Sequence, residues 1–249
     1  MMAAIYILWL RQLKRYWRSK SRIVGSIGQP LLFMVALGFG LGPVFAKAGG
    51  GSYINFLAPG VIAQAILFMA VFNGVELIWD RQFGFLKETL VAPVPRLAII
   101  LGRTLGGATI ATIQGIIVLT LSLLIGFRPT SLIQLPLAII FMFLIALLFT
   151  SIGTTIASLM EDFHGFQLIM NFLVMPIFFL SGALFPVTNL PSVMHTIVRL
   201  DPLSYGVDGL RYTLAGVGEL GLGLDIAVLS ILSLITLAIG SHLFSKIQV

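Results

Sequence analysis

The chain has 249 residues, 58% of them hydrophobic and 10% charged, with no cysteine and a formal net charge of +6. Soluble domains carry about 25% charged residues, so this composition cannot supply a water-facing shell, and a polytopic integral membrane protein is the class that remains. Without cysteine there are no disulfides, thiolate metal centres or cysteine nucleophiles, and basic residues placed beside apolar stretches fit topology and lipid headgroups rather than nucleic acid.

In residues 1–22 the charges follow the apolar residues, the reverse of a signal peptide. At about 100° per residue, Arg11, Lys14, Arg15, Arg18 and Arg22 share one arc of roughly 100°. Ile5, Leu8, Trp9, Leu13 and Tyr16 lie opposite, and Lys20 is the exception. The pattern predicts a basic amphipathic helix lying on the cytoplasmic membrane surface, with Trp9 and Trp17 at the interface. The alternative is a merely positive flank.

Charge-free intervals then predict spans at 23–46, 53–75 and 104–127, a fourth within 132–160, a fifth from near 165 and a last at 226–245. A helix needs about 20 residues to cross ~30 Å of hydrocarbon. The interval 166–198 is too short for two crossings and a turn, which need about 40 residues, and too long for one. One span plus a re-entrant piece fits it, because non-helical backbone at membrane depth is tolerated where protein or a watery cavity surrounds it. The whole chain, 1–249, therefore reads as one transmembrane domain with an interfacial helix at 1–22, a cytoplasmic connection at 80–97 and an external re-entrant region at 186–221.

Six spans put both termini on one side. That side holds the six N-terminal basic residues, then Arg81, Lys87, Arg96, Arg103 and Lys246; the other holds Lys47, Arg128, Arg199 and Arg211. The bias predicts a multi-pass cell-membrane protein with both termini in the cytoplasm. No G-x-x-x-x-G-K occurs, so ATP is not bound here through a P-loop; Gly38, Gly40 and Gly42 read as close helix packing.

The connection at 79–103 is too apolar, at Phe83, Phe85, Leu86 and Leu90, for a free solvated turn. Asp80, Arg81, Lys87 and Glu88 keep it out of the bilayer. Leu86 and Leu90 share one face of a short helix that Pro93 and Pro95 stop. Such a helix needs something to dock against, a partner protein or the lipid surface. Glu76, four residues before Asp80, ends the second span. An ionised group in hydrocarbon costs about 2.5–3.5 kcal/mol, so Glu76 is expected to pair with Arg81 or Arg103 rather than to relay protons. No other acidic residue lies mid-span, which argues against ion-coupled transport.

Gln64, Asn73, Gln114, Gln167 and Asn171 either line a pathway or bond neighbouring helices. His164, His195 and His242 lack metal-site spacing, and Ser181 and Ser204 lack catalytic companions. Arg199 with Asp201, and Asp208 with Arg211 three residues on, form close pairs that would neutralise the last external connection, unless it is simply a solvated loop.

Read together, several stretches resemble one family. In residues 179–211, FLSGALFPVTNLPSVMHTIVRLDPLSYGVDGLR, the matching positions are Ser181, Gly182, Phe185, Pro186, Leu190, Pro191, Pro202, Leu203, Ser204, Tyr205, Val207, Asp208 and Arg211. QPLLFMVALGFGLG, FLAPGVIAQ and the D-R-x-x-G-x-L-K-E-x-L-x-x-P-V-P-R-x-x-I-I-x-G-R connection match the N-terminal half. The chain resembles the type-2 ATP-binding-cassette (ABC) exporter permeases of drug, lipid and polysaccharide export.

That resemblance implies an all-α integral membrane fold of six spans, with an interfacial N-terminal helix and an external re-entrant hairpin between spans five and six. It implies a coupling helix at 81–91 whose Phe83, Gly84, Phe85, Leu86 and Glu88 contact a separate ABC ATPase. Two such ATPase subunits, carrying ATP and Mg, would serve two permeases, identical or not; this chain would hold no cofactor and be no enzyme. Phe185, Pro186, Asp208 and Arg211 would form an outer gate, and Phe68, Phe72, Asn73, Asn171 and Phe172 are candidates to line the pathway. The expected function is export of a hydrophobic or amphipathic substrate, drug-like (as in multidrug export) or lipid. A lipid-linked glycan or oligosaccharide exporter is the alternative; an ion-coupled carrier acting alone would show mid-span charge and an inverted repeat.

Overall fold

A computed structural model describes residues 1–48, 51–91, 93–187 and 191–246. Leu190 of the sequence motif lies outside the described residues, as does the side chain of Leu90.

The described residues form helices and connections, with no strand among them. In chain order the helices are α1 (Met2–Arg18), α2 (Lys20–Gly40), α3 (Gly42–Lys47), α4 (Tyr53–Phe72), α5 (Val75–Gln82), α6 (Phe85–Val91), α7 (Arg96–Ile125), α8 (Leu135–Leu159, after a 3-10 turn), α9 (Phe163–Leu180), α10 (Ser192–Leu200), α11 (Pro202–Ala215) and α12 (Leu222–Ser245). Six segments are long and apolar enough to cross a bilayer: Lys20–Gly40, Tyr53–Gln82, Arg96–Ile125, Leu132–Leu159, Phe163–Leu180 and Leu222–Ser245. The number and order of spans agree with the charge-free intervals.

Several boundaries move: the first span ends at Gly40 rather than 46, the second runs on to Gln82 rather than 75, and the last starts at Leu222 rather than 226. The N-terminal helix ends at Ser19 (φ −93°, ψ 72°), so Lys20 and Arg22 belong to the first span rather than to α1. The third span starts at Arg96, not at 104, because Leu97–Gly102 carries the apolar pattern back towards the connection. At 1.5 Å per residue α7 is about 45 Å long, which exceeds the hydrocarbon thickness, so part of it stands outside. There the Arg96 guanidinium donates to the Ser245 carbonyl at 2.8 Å and caps the end of α12.

The core is built around α4, which packs against α2, α7, α8, α9 and α11. In lipid, helix association depends on close backbone approach rather than on expulsion of water. Gly153 of α8 supplies it: a Cβ there would overlap the Val71 carbonyl of α4. Gly102 and Gly106 of α7 do the same for α1, bringing Ile5, Leu8 and Gln12 onto the α7 backbone. The glycine run ending α2 is different. Gly38 faces Ile54, but a Cβ on Gly40 or Gly42 would meet no other helix within 4 Å among the described residues, so within this chain only the first serves helix packing.

The chain returns to the bundle after α9. Ser181 bonds the Phe178 carbonyl at 2.8 Å, Gly182 turns with φ +72°, and Ala183 packs so closely on Gly60 of α4 that no side chain fits there. α11 then lies against α4, α8 and α12, burying Leu203, Val207, Leu210 and Leu214. Its Gly206 and Gly209 sit flat on Ile145 and Phe141 of α8.

Candidate functional site

The second span breaks at Asn73 and Gly74, and α5 beyond the break presents Glu76 and Asp80, four residues apart, on one face. Both carboxylates are buried and both are met by arginines. Arg22 of α2 reaches Glu76 Oε1 at 2.6 Å, and Arg15 of α1 lies 3.8 Å from Oε2. Asp80 is shared by Arg11 at 3.3 Å, Arg15 at 3.4 Å and the buried Arg103 of α7. Arg22 also donates to Asn73 Oδ1 at 2.7 Å, and Asn73 donates to the Gly107 carbonyl at 3.2 Å. Alongside, Gln114 accepts from Ser26 at 2.9 Å and returns a bond to its carbonyl at 3.1 Å.

This corrects the expected partner of Glu76. It is Arg22, with Arg15 in support, and not Arg81 or Arg103. Arg103 serves Asp80, and Arg81 reaches Glu161 at 2.7 Å and the Met160 carbonyl at 3.4 Å in the α8–α9 connection. Burying two carboxylates is costly unless each is paired and hydrogen-bonded. Here the cost is met by joining α1, α2, α5 and α7 in one cluster. The basic arc of α1 reads from sequence as a lipid-facing surface; Arg11 and Arg15 instead turn towards α5. An arc drawn on one helix cannot distinguish a headgroup from a carboxylate on another helix.

α5 runs on into the connection. Gly84 adopts φ +80°, a conformation that favours glycine, and restarts the chain as α6. Phe83 is 72% exposed, Phe85 and Glu88 are also exposed, and Leu86 is 1% exposed. Phe83, Phe85 and Glu88 therefore lie on the outside of the described fold. Leu86 corrects the expectation of a surface contact: it is an anchor that fixes α6 to the bundle. Phe83 and Phe85 border a cavity of about 560 Å³ shared with Arg11, Lys14 and Arg18.

Two further hollows adjoin the charged cluster. A groove of about 370 Å³ between α2 and α4 is lined by Arg22, Pro30, Gln64, Phe68, Met69 and Phe72. The Phe68 and Phe72 rings stack at 6.3 Å. A second hollow of about 500 Å³ is bounded by Arg15, Ser19, Ser21, Arg22, Trp79 and Phe163, and also touches Phe72. Arg22 and Phe72 line both, so the two hollows adjoin. Of the candidate pathway residues, Phe68 and Phe72 line the groove, and Asn73 is buried beneath Arg22. Asn171 and Phe172 do not come to it; they are exposed on the outer face of α9. Gln64 resolves differently from Asn73 and Gln114: it is 2% exposed, and neither amide atom has a hydrogen-bond partner among the described residues.

At the other end, Asp208 and Arg211 share a face of α11 but serve different neighbours. Asp208 accepts from the Glu219 and Leu220 amides at 2.8 and 2.9 Å and closes the loop before α12. Arg211 donates to the Gly182 carbonyl at 3.0 Å and sits 4.1 Å above the Phe56 ring, a cation–π contact. Burial lowers its pKa to about 10, against the opposing pull of Asp208. Phe185 is half-buried and Pro186 exposed beyond that turn. Asp201 does not pair with Arg199; its carboxylate caps α11 through the Leu203 amide at 2.8 Å, and burial raises its pKa to about 7.

Residues 3–215 match the family described as ABC-2 type transporter. Similar proteins include Nodulation protein J of Rhizobium leguminosarum bv. trifolii, 31% identical over 85% of this chain and 78% of that protein. The putative transport permease ycf38 of Pyropia yezoensis is 33% identical over 86% and 74%. The inner membrane transport permease YadH of Escherichia coli (strain K12) is 27% identical over 91% and 88%. With a match across most of its length, six spans of the expected order and relatives that are transport permeases, this multi-pass membrane chain belongs to the ABC-2 type transporter family.

Proposed function

We propose that the chain is the permease subunit of an ABC exporter, moving a hydrophobic or amphipathic substrate outward with ATP hydrolysed, with Mg, on separate ATPase subunits. The observation that carries this is the connection between α5 and α7. Phe83, Phe85 and Glu88 stand outward for a partner, while Leu86 and the Asp80 cluster fix the same segment to α1, α2 and α7. A push on α6 passes through Gly84 to α5, and α5 cannot move without drawing Arg22 and α2 with it. α2 is one wall of the groove, so the push alters the groove's width.

In this reading both termini are cytoplasmic, α1 lies at the cytoplasmic interface, and α10–α11 form the re-entrant outer gate with Phe185, Pro186, Asp208 and Arg211. Two permeases, identical or paired with a relative, join two ATPases. The apolar groove wall of Pro30, Phe68, Met69 and Phe72 favours a drug-like or lipid substrate over a lipid-linked glycan.

The test is co-expression with a candidate ABC ATPase, followed by co-purification and substrate-stimulated ATP hydrolysis. Phe85→Asp and Glu88→Lys are expected to abolish co-purification. Full binding and stimulation in both variants would refute the docking assignment.

A further inference from the structure

We propose that the two adjoining hollows form a binding site for a lipid with an anionic phosphate headgroup, taken from the bilayer leaflet on the side of α1. The headgroup is held by Arg15, Arg22 and the hydroxyls of Ser19 and Ser21, and the acyl chain lies along Phe72, Phe68 and Pro30. This rests on the permease reading and deepens it by naming the substrate class.

The first observation is charge. Four guanidiniums, of Arg11, Arg15, Arg22 and Arg103, share two carboxylates, which leaves a formal +2 in the cluster. Arg103 is buried, so the excess sits on side chains that reach the surface; those of Arg15 and Arg22 are 40% and 28% exposed. Both of these line the 500 Å³ hollow. Guanidiniums suit phosphate because their planar N–H donors match its oxygens, and Ser19 and Ser21 add hydroxyls beside them.

The second observation is shape and polarity. Besides the arginines, serines and Glu76, the hollow is lined by Val75, Trp79, Phe163 and Phe72, and it adjoins the mainly apolar 370 Å³ groove at Arg22 and Phe72. A free phosphate would leave those walls uncovered, whereas an amphiphile matches charge at one end and hydrocarbon at the other. The third is Gln64, a buried amide lining the groove with no partner for its donor or its acceptor. Unpaired buried amides are rare, and the Nε2 donor of this one is available to a polar atom of whatever occupies the groove.

The experiment uses the full chain in phosphatidylcholine nanodiscs, with Trp9→Phe and Trp17→Phe leaving Trp79 as the single tryptophan. Phosphatidic acid with brominated acyl chains is titrated in, and quenching of Trp79 is read. Saturable quenching is expected from brominated phosphatidic acid and not from brominated phosphatidylcholine. Ser21→Asp, at an exposed position in the lining, is expected to raise the half-saturating fraction about tenfold by setting a negative charge beside the headgroup and its guanidiniums. Lys20→Gln, on an exposed neighbour outside the hollow, is expected to leave it unchanged. Equal quenching by both lipids, or equal weakening by Lys20→Gln and Ser21→Asp, would reduce the effect to general surface charge and overturn the proposal. Complete reversal by millimolar inorganic phosphate would make the occupant a free anion and overturn it as well. The readout needs no ATPase, so its failure is distinct from failure of the permease reading, which is judged by co-purification and ATP hydrolysis.

Discussion

Removing the Asp80 carboxylate strands a buried cation. In Asp80→Asn, Arg103 keeps its buried position and loses the group that balances it. Breaking a buried pair from one side costs about 3–5 kcal/mol, whereas replacing both partners by well-packed neutral groups is often close to neutral. For a chain of this size each kcal/mol corresponds to about 2–4 °C, so Asp80→Asn is expected to lower the unfolding midpoint by about 6–20 °C. Arg11 offers the contrast: its side chain is 41% exposed and its 3.3 Å contact to Asp80 is screened, so Arg11→Gln is expected to cost under about 1 kcal/mol. The assay is thermal unfolding in detergent, read by fluorescence-detected size exclusion, for Asp80→Asn, Arg103→Met and the double variant. The double variant is expected to be more stable than Asp80→Asn alone. Additive losses in the cycle, or a midpoint for Asp80→Asn within 2 °C of the parent, would refute the claim that Arg103 depends on Asp80.

Other expectations follow from single positions. Gly84→Val places a β-branched residue at φ +80°, which costs at least about 1–2 kcal/mol locally; ATPase stimulation is expected to fall while the rest of the bundle keeps its melting behaviour. Gln64→Leu removes an unpaired buried amide that costs about 1–3 kcal/mol, so thermal stability is expected to hold or rise while lipid binding measured by Trp79 quenching weakens. Arg211→Ala removes the link from α11 to the Gly182 turn and to Phe56; limited proteolysis is expected to cut residues 181–187 faster than in the parent. Asp201 holds its proton up to a pKa of about 7, because burial outweighs the Leu203 amide. Unfolded, it would titrate near ~3.9, so between those values the folded state binds more protons and stability falls as pH rises. Asp201→Asn is expected to flatten that decline between about pH 4 and 7, as measured by melting across the window.

Much of the architecture is legible in the sequence. A helix must satisfy its backbone within itself in lipid, so each charge-free interval of about 20 residues can do little but cross; six such intervals in this chain give six spans. The motif at 179–211, with the stretches that match in the N-terminal half, carries the resemblance to the permease family. Partnerships were not legible, because they depend on which helix lies opposite. Glu76 and Asp80 announce a need for cations, yet fifteen lysines and arginines could answer. Only packing of α1 on the Gly102–Gly106 face of α7, and of α2 beside α5, selects Arg11, Arg15, Arg22 and Arg103. The same holds for Leu86 and Phe85, adjacent and both apolar, one buried and one exposed because α6 docks by a single face. Composition and periodicity are properties of one helix at a time, so they determined that the protein crosses the membrane and how often. Where its charges meet and where a groove opens depend on contacts between residues far apart in the chain, and the tertiary structure alone decided those.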